Sequence, residues 1–457
     1  MSEKREVVIV GGGFAGLSAG VALADRGFRV TVLERKPALG GRAYSFQDTD
    51  TGDFIDNGQH VLMGCYTQTI DFLGRIGSRD KLWVHPNLEI QMLERGGRSG
   101  FLRTAAIPGP FHMSAALLRY RLLTPRERWR VVAGAMRMMR MRGRDPRMLE
   151  VTTVANLMER LGQGERERQC FWYPIALATL NDDPGIASAG LLAEVIKRAF
   201  FGRRRDSAFV YSRVGLSDLY CSAAVEFIEK RGGSVRCHQM VQTLELDTGA
   251  AVARLRMRDR SAVEADAYIV AVPAPHLLRM LPEALSRETY FARLAGLGVS
   301  PIICIHVWLD REVTDAAFAG FIGTATQWLF NKRRIFVQHG AHHGGYLSFV
   351  ISGARALVDL PNDELLAIAM KDLRAMMPTA ANAKIVKALV IKEKQATMAP
   401  DLESHRLRPP TATPIHNLFL AGDWIQTGLP ATIESAVLSG YAAASAVAAR
   451  AGVSRAA

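Results

Sequence analysis

Short runs of apolar residues, separated by amphipathic stretches, predict the main elements of this chain. Residues 7–10 (VVIV) are all β-branched, which is typical of a central parallel strand buried on both faces. The apolar positions of residues 17–23 then recur at helical spacing, and residues 28–33 (FRVTVL) form a second strand-like run. This order predicts a strand, a helix and a parallel strand at the start of the chain.

Later apolar runs predict more strands in two different settings. Residues 267–272 (AYIVAV) and residues 417–421 (NLFLA) resemble the first run and predict further buried strands of the same sheet. An alanine-rich helix follows the second of them, starting near Pro430. Residues 302–309 and residues 345–350 lie between these runs and predict strands of a separate sheet.

The predicted fold class is therefore α/β, with a doubly wound, Rossmann-like nucleotide-binding domain and a second α+β domain inserted in two segments. A chain of 457 residues exceeds what one hydrophobic core usually supports, which favours two domains. The predicted nucleotide-binding domain comprises residues 1–75, 206–275 and 411–457. The predicted substrate domain comprises residues 76–205 and 276–410.

The turn after the first strand carries the spacing G-x-G-x-x-G. Gly11 permits a tight turn, Gly13 lets the backbone approach a pyrophosphate, and Gly16 lets the helix pack closely on the strand. Phe14 and Ala15 fall at the helix N-terminus, where free amides and the helix dipole bind phosphate. The pattern predicts a dinucleotide site.

The residues after the second strand indicate which dinucleotide binds. Glu34 ends this strand, where an acid accepts hydrogen bonds from ribose hydroxyls. Arg35, Gly41 and Arg42 follow within the pattern E-R-x-x-x-x-G-G-R. A nicotinamide dinucleotide has no need of this second glycine pair, whereas a longer flavin dinucleotide extends past the first unit. The backbone at Gly41 and the guanidinium of Arg42 would contact that extension.

The order of motifs over nearly the whole chain resembles the amine oxidase and phytoene desaturase superfamily of FAD enzymes. The strand that ends at Gly422 and Asp423, and the helix that begins near Thr432 and Ile433, carry this resemblance. It implies bound FAD, with Asp423 on a ribityl hydroxyl and the helix N-terminus facing the N1–C2=O edge of the flavin. It also implies that Val241 contacts the adenine through its backbone.

Residues 56–60 (DNGQH) narrow the resemblance to the squalene-associated branch, the hydroxysqualene dehydroxylases of bacterial hopanoid synthesis. This branch implies a lipophilic isoprenoid substrate, reductive removal of its hydroxyl to give squalene, and an unidentified reductant for FAD. His60 is the candidate catalytic residue, because an imidazole titrates near neutral pH and loss of hydroxide needs a proton donor. In the alternative interpretation, Gln59 and His60 only position the flavin.

Other functions remain open at this point. A carotenoid-type desaturase acting on a phytoene-like substrate would run hydride transfer in the opposite direction, from substrate to FAD. An amine oxidase is less favoured, because residues 56–60 resemble the isoprenoid branch. A flavin-binding, membrane-associated protein without enzymatic activity is the non-enzyme alternative.

A formal net charge of +13 suggests a polyanionic partner: nucleic acid, an anionic membrane or an acidic substrate. The helix opened by the capping box at Thr124 carries a predicted apolar face and an adjoining arginine face. The apolar face comprises Trp129, Val132, Met136 and Met139, and the arginine face comprises Arg126, Arg130, Arg137 and Arg144. Residues 197–205 (KRAFFGRRR) repeat this composition. These stretches predict peripheral contact with an anionic membrane, and no nucleic-acid motif accompanies the charge. The alternative interpretation is a helix of the substrate domain with a solvated arginine face, and periodicity alone does not separate the two.

Cysteine, histidine and hydropathy patterns complete the expectations. Five scattered cysteines without C-x-x-C spacing favour a reducing compartment, and His339, His342 and His343 lie in a glycine-rich stretch without other ligands, so no metal site is predicted. No run of about 18 apolar residues predicts a membrane span, and the first residues do not resemble a signal peptide. The expected location is the cytoplasm, on the inner face of the cytoplasmic membrane.

Overall fold

Two β-sheets organise the fold of the protein, which a computed structural model describes for residues 5–109, 111–248 and 251–453. The outermost residues of the predicted nucleotide-binding domain, 1–4 and 454–457, lie outside the described residues. The strands, numbered in chain order, are β1 (Glu6–Val10), β2 (Arg29–Leu33), β3 (Ser45–Gln47), β4 (Phe54–Asp56), β5 (Leu62–Met63), β6 (Leu82–Val84), β7 (Glu89–Glu94), β8 (Arg98–Arg103), β9 (Phe209–Ser212), β10 (Ser234–Arg236), β11 (Val241–Leu246), β12 (Val252–Met257), β13 (Ala262–Val263), β14 (Ala267–Val270), β15 (Val299–Leu309), β16 (Phe318–Ile322), β17 (Trp328–Asn331), β18 (Tyr346–Ser352), β19 (Ile385–Met398) and β20 (Leu418–Leu420). The α-helices are α1 (Phe14–Asp25), α2 (Thr67–Arg75), α3 (Phe111–Arg119), α4 (Pro125–Arg144), α5 (Pro146–Glu150), α6 (Val154–Arg160), α7 (Glu165–Glu167), α8 (Tyr173–Leu180), α9 (Ala189–Phe200), α10 (Ser222–Glu229), α11 (Ala274–Met280), α12 (Glu283–Ser286), α13 (Thr289–Ala292), α14 (Lys332–Ile335), α15 (Asn362–Met376), α16 (Leu402–Leu407) and α17 (Ile433–Arg450).

The parallel sheet has the strand order β10-β2-β1-β14-β20, and every neighbouring pair runs parallel. The apolar run of β1 lies at its centre, with four of five residues buried, as expected for a strand covered on both faces. Helices α1, α10 and α17 cover one face. The three-stranded sheet β11-β12-β13 and helix α11 cover the other. The predicted α/β fold class is confirmed, although the sequence pattern did not predict this small antiparallel sheet.

The seven-stranded sheet has the order β19-β15-β18-β17-β16-β7-β8. It is antiparallel except between β16 and β7. Side chains alternate between its two faces. Ile303, Ile305 and Val307 of β15 face helix α15 in one apolar cluster. The residues between them belong to the face that is turned towards the parallel sheet, where the candidate site lies.

A bundle of helices, α3 to α9, packs beside the seven-stranded sheet. The predicted capping box starts α4, because the amide of Glu127 donates to the Thr124 hydroxyl and Glu127 accepts from the Thr124 amide at 2.7 Å. The sequence did not predict which face of α4 is buried. Val131, Gly134 and Met138 are buried, whereas two members of the predicted apolar face are exposed, Trp129 by 61% and Met136 by 47%.

The second basic stretch also differs from its prediction. Phe200 is buried in the core of the helical bundle and Phe201 packs against that core, so these aromatic side chains do not point outwards among the arginines. Arg198 forms an ion pair with Glu194. In the described part of the chain, no helix is long and apolar enough to span a membrane.

Candidate functional site

A cavity of about 1070 Å³ runs between the parallel sheet and the seven-stranded sheet. Small-molecule sites usually measure about 300–1,000 Å³, so this cavity has room for a long cofactor and a second ligand. It brings together almost all the residues that the sequence predicted: Gly11, Gly13, Phe14, Ala15, Glu34, Arg35, Gly41, Arg42, His60, Val241, Gly422, Asp423, Thr432 and Ile433. Gly16 is the exception, because it packs against the protein.

The glycine turn explains both the exception and the shape of the cavity. A Cβ atom on Gly16 would lie 1.9 Å from the carbonyl oxygen of Gly11, so only glycine lets α1 approach β1 this closely. The second glycine pair abuts the first, since a Cβ atom on Gly41 would lie 3.3 Å from the Cα of Gly13. Bare backbone from both stretches therefore lines this end of the cavity, and it fits the diphosphate of FAD.

Glu34, predicted to accept hydrogen bonds from ribose hydroxyls, also holds the backbone of the glycine turn. One of its carboxylate oxygens accepts from the amide of Gly12 at 2.8 Å, and the other accepts from the amide of Lys36 at 2.9 Å. Glu34 is buried and still lines the cavity. Each carboxylate oxygen can accept more than one hydrogen bond, so Glu34 can hold the glycine turn and accept from a ribose together.

Arg42 and Asp423 meet in an ion pair with a nitrogen–oxygen distance of 2.6 Å. Arg42 also donates to the carbonyl of Ala396 at 2.9 Å, which joins the connection between β2 and β3 to β19. Asp423 is buried, and its backbone carbonyl accepts from Arg408. The sequence predicted these two residues as separate cofactor contacts, and the structure places them beside each other.

The N-terminus of α17 faces the cavity. The Thr432 hydroxyl caps this helix by accepting from the amide of Ser435 at 3.2 Å, and Ile433 begins the first turn. The next residue, Glu434, was not predicted, but its buried carboxylate accepts from the amides of Gln68 and Thr69 and fixes α2. The helix dipole favours negative charge at this end of α17.

Residues 53–60, called here the clamped segment, are held against the seven-stranded sheet by buried polar side chains. Lys332 donates to Asp56 at 2.9 Å, with both side chains almost completely buried. Arg333 binds Asp53 through two hydrogen bonds of 2.7 and 2.9 Å. The indole of Trp308 donates to Asp53 at 2.8 Å. The sequence did not predict these partners, because they lie more than 250 residues from the segment.

The clamped segment also covers a polar patch on the sheet. The hydroxyl of Tyr346 donates to the carbonyl of Phe54, and it lies 3.1 Å from Nδ1 of His306. Cys304 lies between Nε2 of His306 and the hydroxyl of Ser348. His306 is therefore a buried, hydrogen-bonded core histidine.

His60 lines the cavity at the end of the clamped segment. Burial lowers the pKa of His60 to about 4, and the positive charges of Lys332 and Arg42 act in the same direction against the opposing effect of Asp56. The imidazole is therefore neutral near pH 7. This electrostatic setting favours the positioning role over the role of a resident proton donor.

The part of the cavity beyond His60 is apolar. Its wall is formed by Val61, Phe209, Ile302, Phe318, Trp328, Phe330 and Val350. Four of these side chains are aromatic. Phe318, Trp328 and Phe330 stand on the adjacent strands β16 and β17, and Phe209 of β9 meets Phe318 with ring centroids 5.2 Å apart. We call this part the apolar chamber. Within the described ranges, no group of three His, Cys, Asp or Glu side chains is placed to hold a metal ion.

Comparison with known proteins places this geometry in context. The family described as flavin containing amine oxidoreductase matches residues 14–448. The hydroxysqualene dehydroxylase of Zymomonas mobilis is 27% identical, and the match covers 95% of this chain and 97% of that protein. The 15-cis-phytoene desaturase of Synechococcus elongatus is 26% identical, with 97% of this chain and 96% of that protein covered.

Solved structures share the fold at lower sequence identity. A cyclohexylamine oxidase from Brevibacterium oxydans superposes with a TM-score of 0.71 at 16% identity, covering 98% of this chain and 100% of that one. A putative protoporphyrinogen oxidase from Exiguobacterium gives a TM-score of 0.70 at 16% identity, covering 98% and 99%.

Proposed function

The chain belongs to the flavin-containing amine oxidoreductase family and binds FAD, and on that premise we propose that it converts hydroxysqualene to squalene. The observation that carries the proposal is the apolar chamber, which is continuous with the cofactor cavity and borders the clamped segment with its D-N-G-Q-H sequence. The near full-length match to a hydroxysqualene dehydroxylase supports it.

The reaction balances with one hydride and one proton. When bound and reduced, FAD supplies a hydride to carbon. The substrate hydroxyl leaves with a proton as water, and the carbon that loses it gains the hydride. The protein orients the substrate against the aromatic wall and excludes water from the chamber, which keeps water from returning to the carbon.

The experiment is an anaerobic single-turnover reaction with chemically reduced enzyme. We expect hydroxysqualene to give squalene, measured by mass spectrometry, with one flavin reoxidised for each squalene formed. Oxidised enzyme with phytoene is the parallel arm. Double bonds introduced into phytoene, together with no reaction of reduced enzyme with hydroxysqualene, would overturn the proposal in favour of a desaturase, a candidate supported by the matching phytoene desaturases.

We also propose that the protein docks on the anionic inner face of the cytoplasmic membrane. The supporting observation is the exposed side of α4, where Trp129 and Met136 stand beside an arginine row. This row comprises Arg126, Arg137, Arg140 and Arg144, all exposed. Each basic residue near such a surface contributes about 1 kcal/mol, and salt screens the attraction.

Vesicle sedimentation tests this docking. Replacing Arg126, Arg137 and Arg140 by glutamine should release the protein from vesicles containing phosphatidylglycerol. The matched control replaces three exposed arginines elsewhere, Arg236, Arg258 and Arg260, and changes the net charge equally. Equal release by both variants would show that overall charge, and not the face of α4, drives binding.

A further inference from the structure

A buried guanidinium lies behind the wall of the cofactor cavity. Arg408 is 2% exposed and does not itself line the cavity. Its Nη1 donates to the carbonyl of Leu429 at 2.5 Å. Its Nη2 donates to the carbonyl of Asp423 at 2.8 Å and to the hydroxyl of Thr427 at 3.3 Å. All three acceptors are neutral groups within residues 423–429, which are part of the connection between β20 and α17.

The charge of Arg408 is only partly compensated. Asp423 is the acid whose charge acts on it, but the carboxylate of Asp423 forms its ion pair with Arg42. The buried carboxylate of Glu434 is bound by backbone amides of α2. Within the described ranges, Nε of Arg408 has no hydrogen-bond partner. Burial lowers the pKa of Arg408 to about 10, so it stays charged near pH 7. Buried charges are usually paired, and here two guanidiniums share one carboxylate.

The connection that Arg408 holds forms the cavity wall at both of its ends. Asp423 lines the cavity at one end, and Ala431 and Thr432 line it at the other. The carbonyl of Asp423 also accepts from the hydroxyl of Ser435, in the first turn of α17, at 3.3 Å. The guanidinium and the N-terminus of α17 therefore meet at the same carbonyl. Both place positive charge behind this stretch of wall.

We propose that Arg408 raises the reduction potential of the bound FAD. The superfamily resemblance implies that the N1–C2=O edge of FAD, where negative charge gathers on reduction, faces the N-terminus of α17. A fixed positive charge behind the wall stabilises the reduced form more than the oxidised form, because charges interact strongly across a buried, low-dielectric setting. Arg408 acts through its charge and not by touching the cofactor. The inference depends on FAD alone and holds for either direction of hydride transfer.

The midpoint potential of the FAD-loaded protein tests the inference. Arg408→Gln and Arg408→Lys both lose the forked guanidinium, but only the glutamine variant loses the charge. At anaerobic equilibrium with a reference dye, we expect Arg408→Gln to shift the ratio of reduced to oxidised FAD about tenfold towards the oxidised form. This shift corresponds to a potential lower by about 30 mV for a two-electron couple. Arg408→Lys should shift the ratio much less. Equal shifts in both variants, or no shift in Arg408→Gln, would overturn the inference.

A second pair of variants keeps Arg408 in place and decides the question if Arg408→Gln releases FAD. Thr427→Asp sets a carboxylate beside the guanidinium, at a half-buried position that Arg408 already contacts. Thr427→Asn has nearly the same shape and adds no charge. We expect Thr427→Asp to lower the potential and Thr427→Asn to stay close to the wild type. The inference is wrong if these two variants have the same potential. Neither measurement uses a substrate, so failure of the proposed reaction would leave the result unaffected.

Discussion

The two ends of the cavity are built from different parts of the chain. At the phosphate end, the surface is backbone: Gly13 and Gly41 face each other, and the side chain of Glu34 is largely used to hold the turn. At the chamber end, the surface consists of side chains, and Lys332 and Arg333 hold the clamped segment in place. The phosphate end therefore depends on local turn geometry, and the chamber end depends on distant charge pairs that must all be present.

The largest effect is expected from breaking the charge pair at the chamber end. Lys332→Met leaves Asp56 buried without its partner, which should lower the free energy of unfolding by about 3–5 kcal/mol. Chemical denaturation followed by tryptophan fluorescence measures this loss. The double variant Lys332→Met, Asp56→Asn removes both charges and should recover much of it. A single variant as stable as the wild type would mean that the clamped segment does not depend on the pair.

A smaller effect is expected at the other end of the cavity, where the quantity that changes is the affinity for FAD. Asp423→Ala should weaken FAD binding by about 1.5–3 kcal/mol, because a hydrogen bond to a charged acceptor is lost. Titration of the apoprotein with FAD gives the dissociation constant. Asp182→Ala is the matched control, since Asp182 is also a buried carboxylate paired with an arginine, Arg355, and does not itself line the cavity. Equal loss of FAD affinity in both variants would indicate general destabilisation.

Several histidines contribute to the pH dependence of stability, because burial also lowers the pKa of His276 to about 4 and of His306 to about 3, and a substitution isolates the share of His60. Its pKa falls from about 6.5 in an unfolded chain to about 4 in the folded protein, mainly because of burial. The unfolded state therefore takes up the proton first as the pH falls from 6.5 towards 4, and stability decreases over that window. His60→Gln should reduce the decrease, whereas replacement of the exposed His416 should not. Denaturation midpoints across this range decide between these outcomes.

The same substitution separates the two roles of His60. If His60 positions the flavin, His60→Gln should chiefly raise the dissociation constant of FAD. If it donates a proton, turnover should fall while FAD stays bound. Measuring both quantities on one preparation distinguishes them.

The smallest effect is expected at Arg35, an exposed side chain at the phosphate end. Exposed charges contribute about 0.2–1 kcal/mol, so Arg35→Gln should weaken FAD binding by no more than about fivefold. The effect should shrink further as salt is added. A loss as large as that of Asp423→Ala would contradict the view that backbone dominates this end.

The difference between the two ends also explains what the sequence could predict. Gly11, Gly13 and Gly16 lie within six residues of one another, so their spacing alone specifies the turn and the helix start. The α/β fold class and the glycine turn followed from such local patterns, whereas FAD followed from the resemblance of motif order over nearly the whole chain. The partners of Asp53 and Asp56 carry no local signal, because Arg333 and Lys332 are brought to them only by the seven-stranded sheet.

Helix α4 shows a second limit. Its periodicity predicted the helix and its capping box, but Trp129 and Met136 are exposed while Gly134 is buried. Residue type favours burying tryptophan and methionine. Gly134 contacts the side chain of Gln163 on the inner face of the helix. A Cβ atom at position 134 would lie 2.6 Å from that side chain, so this face needs a glycine. Tertiary packing therefore determines which face of α4 is buried, and composition alone does not predict it.

The clamped segment has a consequence for the order of folding. Asp53 and Asp56 are synthesised about 280 residues before Lys332 and Arg333, so a ribosome delivers the two acids long before their counter-charges exist. Contacts that close such long loops form late in folding. The N-terminal strand–helix–strand unit can fold early from its own local contacts, but the wall of the cavity must wait for β17. During that interval the nascent chain exposes apolar strands, which is when a chaperone would be needed most.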